Sequence, residues 1–212
     1  MSLDEDALVS ELRRVHGAHT VILYGSHVRG DATPESDIDV AAFADVGRTL
    51  RDARRWDGHL LDGFVYPTAV AHTFPLDADL LKLADGRVLL DERELAGPFL
   101  TELRAVERRG PPALTDDDRQ MRRVWAHKSL ARAGRGDVEA NYRWHWLLFQ
   151  LLEDHYALEG RWFPGAKVAF ADLERRDPAV HGLFLEALAP GASLATLQAL
   201  VHRLAGKELD PD

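Results

Sequence analysis

Two carboxylates one residue apart, Asp37 and Asp39, sit at the start of an apolar run shortly after the pair Gly25-Ser26. On an extended strand, residues two apart share a face, so these acids would lie a few ångströms from each other. Their mutual repulsion is costly unless a cation neutralises it. The chain has no cysteine, which leaves oxygen or imidazole as ligand and makes a hard, oxygen-bound ion such as magnesium the natural expectation. Asp62, in a later apolar run, would add a third carboxylate, permit a second ion and activate an attacking hydroxyl. Gly25 closes the run Val21-Ile22-Leu23-Tyr24, where the lack of a Cβ lets backbone N–H groups approach an anion. The Ser26 hydroxyl is a further donor, and Arg29 adds a charge. These are the residue types that hold a triphosphate together with a divalent metal.

The elements that must position them can be read from periodicity. Leu8, Leu12 and Val15 recur at helical spacing behind an acidic first turn, with Gly17 where a C-terminal cap belongs. Residues 20–24 form a short β-branched run ended by glycine, the pattern of a buried strand. A second strand is expected over 36–43, with Asp37, Asp39 and Ala41 on one face and Ile38, Val40 and Ala42 on the other. Asp31 to Glu35 reads as an exposed loop. The arginine-rich stretch 49–56 has the mixed pattern of a surface helix, and 59–66 alternates as a third strand that contains Asp62. Asp85-Gly86 predicts a turn into Val88-Leu89-Leu90, followed by a helix over 92–107.

Arg108-Arg109-Gly110-Pro111-Pro112 is the clearest linker, since no helix continues through it. Beyond it helical patterns are expected over 115–134, 138–159, 166–175, 180–189 and 193–206. Thr115 with Asp118 three residues on suggests a capping box. Trp125, Trp144, Trp146 and Tyr142 are expected in the core of this part. The predicted architecture is α+β: a first domain over 1–109 with a small mixed sheet, and an all-helical bundle domain over 113–212.

A net charge of -9 argues against a dedicated nucleic-acid binder, whose footprint would be a basic face. The acidic N-terminal residues and the lack of any apolar run near membrane-spanning length point to a soluble, cytoplasmic protein.

The run Gly25-Ser26 through Arg29-Gly30 to Ser36-Asp37-Ile38-Asp39 resembles the motif of the polymerase-beta-like nucleotidyltransferase superfamily: Gly-Ser, two residues, Arg-Gly, a short loop, then Ser-Asp, one residue, Asp. Asp62 in Leu61-Asp62-Gly63 is similar to the family's third acid, although Gly63 stands where a larger apolar residue is usual, and Asp57 is the second candidate. The resemblance implies a mixed-sheet domain in which Gly25 and Ser26, with Arg29 and Ser36 of the same motif, bind nucleotide. It implies that Asp37, Asp39 and Asp62 bind magnesium, with two ions expected, and that ATP or another NTP is the donor.

The helical second half is similar in layout to antibiotic nucleotidyltransferases of the kanamycin type, where a glutamate of the helical domain serves as base toward the acceptor hydroxyl. Glu153 is the candidate for that role, with Glu139 behind it, and Lys167 is a candidate contact to a nucleotide phosphate. The expected partners are a nucleotide and a small, aminoglycoside-like acceptor in a cleft whose one wall is the Gly25–Asp39 stretch. A homodimer is also implied, because a bundle domain often completes its neighbour's cleft in the resembled enzymes. The rival expectation is an antitoxin-like or regulatory module that binds or nucleotidylates a partner protein, or that has lost turnover.

Overall fold

Asp4 accepts the Ala7 N–H at 3.0 Å and caps the first helix of the computed structural model, which describes residues 3–206. This helix, α1 (Glu5–His16), ends at Gly17, whose left-handed φ of 66° returns its N–H to the Leu12 and Arg13 carbonyls. Leu8 and Leu12, one turn apart, are fully buried. The chain then runs through β1 (Thr20–Leu23), the single helical turn α2 (Ser26–Arg29), β2 (Ile38–Ala44), β3 (Leu50–Trp56) and β4 (His59–Pro67). Two 3-10 turns, Thr68–His72 and Ala78–Leu83, lead to β5 (Arg87–Asp91) and to α3 (Ala96–Arg109). The Asp91 carboxylate accepts the Leu95 and Ala96 N–H groups at 2.9 Å each, fixing the start of α3.

The five strands form one mixed sheet in the order β3-β4-β2-β1-β5. Only the central pair β2–β4 is parallel, and the other neighbours are antiparallel. Alternation along β2 sends Ile38, Val40 and Ala42 to the face covered by Leu8 and Leu12 of α1. Ala41 and Phe43 turn to the opposite face, against Leu83 of the second 3-10 turn and Phe99 and Leu103 of α3. A sheet packed on both sides in this way holds its central strands rigidly.

The stretch 49–56, expected to be a surface helix, is instead the edge strand β3. Its charges suited either period, and the deciding feature is the hairpin dipeptide that follows. Asp57 and Gly58 take φ values of 47° and 81°, the two consecutive positive angles of a tight two-residue hairpin. Asp52 of β3 is buried, bonded to His16 Nε2 and to Arg54 Nε at 2.8 Å each.

The chain divides into two compact units, 1–109 and 110–212. Because α3 runs to Arg109, Arg108 and Arg109 of the expected linker are helical. The second unit is helical: α4 (Asp116–Ala133), α5 (Val138–Leu158), α6 (Ala166–Arg176), α7 (Pro178–Leu188) and α8 (Leu194–Ala205). Thr115 and Asp118 form the reciprocal capping box at the start of α4. Leu147, Leu148, Leu151 and Leu152 on α5 pack with Leu173, Phe184 and Leu197. Trp144 joins this core and donates to the Ala187 carbonyl at 3.2 Å. Trp125 and Tyr142, expected inside, are 46% and 66% exposed, because their helix faces point away from the leucine stripe. No helix among the described residues is long and apolar enough to cross a membrane.

Candidate metal centre and phosphate loop

The parallel register of β2 and β4 sets Asp39 directly opposite Asp62. Asp37 immediately precedes β2, so all three side chains meet at one end of the central strand pair. One carboxylate oxygen from each lies within 4.8 Å of the other two, and all three side chains are half-buried. Among the described residues this is the one cluster of three potential metal ligands. Burial, and then the charges of Asp37 and Asp62, push the Asp39 carboxyl up to about 6. Three oxygen donors that repel each other match the preference of a hard divalent cation.

Gly25 makes the approach possible. Its φ of 73° and ψ of -149° turn the chain away from β1, and a Cβ there would overlap Asp39 Oδ2. The Tyr24 N–H donates to the Asp39 carbonyl at 3.0 Å, which locks the loop to β2. Next to it, the Ser26 hydroxyl is buried and has no hydrogen-bond partner. A buried donor without an acceptor is costly, and a phosphate oxygen would satisfy it. The orphaned hydroxyl, the Cβ-free backbone and the three carboxylates together fit a metal-bound phosphate.

Other expected site residues stand as follows. Arg29 is exposed at the end of α2, with Nε 3.5 Å from Asp31 Oδ1. The Ser36 hydroxyl accepts the Thr33 N–H at 2.9 Å, so it closes the 31–36 turn that leads into Asp37. Asp57 lies in the hairpin turn, outside the acid cluster, which leaves Asp62 as the third acid. At Gly63, which follows it, an added Cβ would come within 3.2 Å of the Cβ and carbonyl oxygen of Asp52 on the neighbouring strand, a tight fit. Glu153 is half-buried on α5 of the second unit, where burial and then the Asp154 charge raise its carboxyl above the usual range. Glu139 pairs with Arg143 at 3.2 Å, and Lys167 is exposed near the start of α6.

Sequence reasoning missed two cations. Arg51 of β3 forms an ion pair with Asp62 Oδ1, and its guanidinium lies 4.0 Å over the centre of the Phe64 ring. Lys82 of the second 3-10 turn places its ammonium 3.6 Å from the same ring centre. The available signal was the Asp57-Gly58 hairpin, which sets the β3–β4 register and so brings Arg51 to the acids.

The Asp39 carboxyl gives the metal-free protein a pH dependence. Its folded value is raised above the unfolded one, so its contribution is fully present below about pH 4 and is lost as the pH rises through about 6. Thermal midpoints measured in chelator from pH 4.5 to 7.5 should therefore fall more steeply for the parent than for Asp39→Asn. Equal slopes would show that Asp39 ionises as an ordinary surface acid.

Residues 6–94 match the family described as "Nucleotidyltransferase domain". A solved structure described as a nucleotidyltransferase-like protein from Exiguobacterium sibiricum 255-15 is similar at 13% identity and a TM-score of 0.41, covering 95% of this chain and 75% of that one. No curated protein matches the sequence.

Proposed function

On the premise that residues 6–94 are a nucleotidyltransferase domain of the polymerase-beta-like superfamily, we propose that the protein moves a nucleoside monophosphate, with AMP the first candidate, from an NTP to a hydroxyl of a small acceptor. The observation that carries this reading is the meeting of Asp37, Asp39 and Asp62 beside a glycine whose Cβ would strike Asp39. In this reading the three carboxylates hold magnesium, and Ser26 with the adjacent Gly25 backbone holds the phosphates, Arg29 and Ser36 standing in the same loop. Bound magnesium supplies charge neutralisation to the phosphates and polarises them toward attack.

The chain's own part is to position and to move a proton. The acceptor oxygen attacks the α-phosphorus, the bond to the β-phosphate oxygen breaks, and pyrophosphate leaves with that electron pair. The hydroxyl proton passes to a carboxylate, for which Asp62 and Glu153 are the candidates. Lys167 is a further candidate for nucleotide contact. Exchange of the true base for its amide should lower transfer by about 100-fold or more while nucleotide binding persists. Holding donor and acceptor in line accounts for most of the remaining acceleration.

Incubation with α-labelled NTPs, magnesium and a panel of aminoglycosides and related polyhydroxylated compounds tests the proposal. Label should move to a small molecule with release of pyrophosphate. Label on a polypeptide would identify the protein as a modifier of a partner protein instead, and no transfer from any NTP to any acceptor would contradict it.

A further inference from the structure

Charge counting around the acid cluster bears on how many metal ions it takes. Of the three carboxylates, Asp62 already has a cation of its own: the Arg51 guanidinium is paired with Oδ1, an oxygen closed off from solvent. That pairing is built into the sheet. In the antiparallel β3–β4 register Ala53 stands opposite Asp62 and Arg51 opposite Phe64, so Arg51 is the diagonal same-face neighbour of Asp62. The Phe64 ring, 4.0 Å beneath the guanidinium, holds it from below, and the Lys82 ammonium lies 3.6 Å from the centre of that ring. Asp37 and Asp39 form no ion pair among the described residues, and the Arg29 and Lys82 charges only partly offset the repulsion at Asp39. Asp39 feels the charges of both other acids, which means that the repulsion left in the cluster is the charge of one divalent ion, at Asp37 and Asp39.

We infer that Arg51 occupies, as a fixed positive charge, the place where a second divalent ion would bind at Asp62, so that this site takes one metal ion per chain. Arg51 is thus a positioning residue: it orients the Asp62 carboxylate and keeps Oδ1 from taking a second ion, leaving the other oxygen to face the ion shared with Asp37 and Asp39. This deepens the reading of the cluster as the metal centre of a nucleotidyltransferase and rests on it. It also replaces the expectation of two ions.

Counting bound Mn²⁺ by the loss of the free-ion electron paramagnetic resonance signal, with the full chain and no nucleotide, tests the inference without recourse to activity. The parent should saturate at one ion. Arg51→Ala should saturate at two, with the first ion bound several-fold more tightly because a nearby positive charge is gone. Arg51→Lys, which keeps the charge, should remain at one, and the double variant Arg51→Ala/Asp62→Asn should return to one. A merely structural Arg51 would change the thermal midpoint and leave these counts alone. Two ions in the parent, or one in Arg51→Ala, would overturn the inference while leaving the metal centre standing. No ion in the parent would overturn the metal centre itself and this inference with it.

Discussion

Asp39→Ala should abolish nucleotide transfer, by about a thousandfold or more, and at the same time stabilise the metal-free protein. The two effects have one cause. Asp39 is held between Asp37 and Asp62 in a half-buried position, and its carboxyl is pushed up to about 6. At neutral pH the ionised form is therefore disfavoured in the folded chain, and its removal returns on the order of 2 kcal/mol after allowance for solvent screening. The same repulsion is what a divalent cation would relieve. Thermal denaturation in chelator, beside transfer assays in magnesium, checks both signs. A variant that lost stability together with activity would show Asp39 to be a structural acid.

Gly25→Ala should be nearly as damaging for a different reason. At φ 73° and ψ -149° an alanine is strained by roughly 1–3 kcal/mol. Its Cβ would also overlap Asp39 Oδ2, so the carboxylate must leave the cluster or the loop must move off β2. Loss of divalent-metal and nucleotide affinity by about 100-fold is expected, the size of effect that follows a small misplacement at a reacting centre. Gly30→Ala is the control. Gly30 also has a positive φ, 82°, but nothing lies within 4 Å of its added Cβ. It should carry the backbone cost alone and keep its affinity within a few-fold. Equal losses in both variants would show that backbone strain, and not contact with Asp39, explains the glycine.

The parts of the fold that a reader of the sequence can recover are those governed by local chemistry. The stop at Gly17, the capping box of Thr115 and Asp118 and the strand around Val21 and Ile22 each depend on neighbours within a few residues. The acids were legible for the same reason, since the spacing of Asp37 and Asp39 carries their common face. What escaped depends on register. Arg51 is eleven positions from Asp62, and only the Asp57-Gly58 turn places the two on one face of a hairpin. Reading 49–56 as a helix concealed that neighbour, because arginines suit a solvated helix as well as an edge strand. The buried Asp52 was hidden likewise, its partners His16 and Arg54 lying on α1 and two residues further along β3. In the second unit Trp125 and Tyr142 show the limit of composition: aromatic type favours burial, but helix phase sets which face is covered.

In the proposed function Asp37, Asp39 and Asp62, beside Gly25-Ser26, form a divalent-metal centre that binds a nucleoside triphosphate. Calorimetric titration of ATP into the protein, once with magnesium and once with chelator, tests it most directly. Saturable binding of one nucleotide per chain that needs magnesium, and that disappears in Asp39→Ala, is the predicted result. Binding of equal strength in chelator, or retained in full by Asp39→Ala, would show that the three acids do not form a metal-dependent nucleotide site.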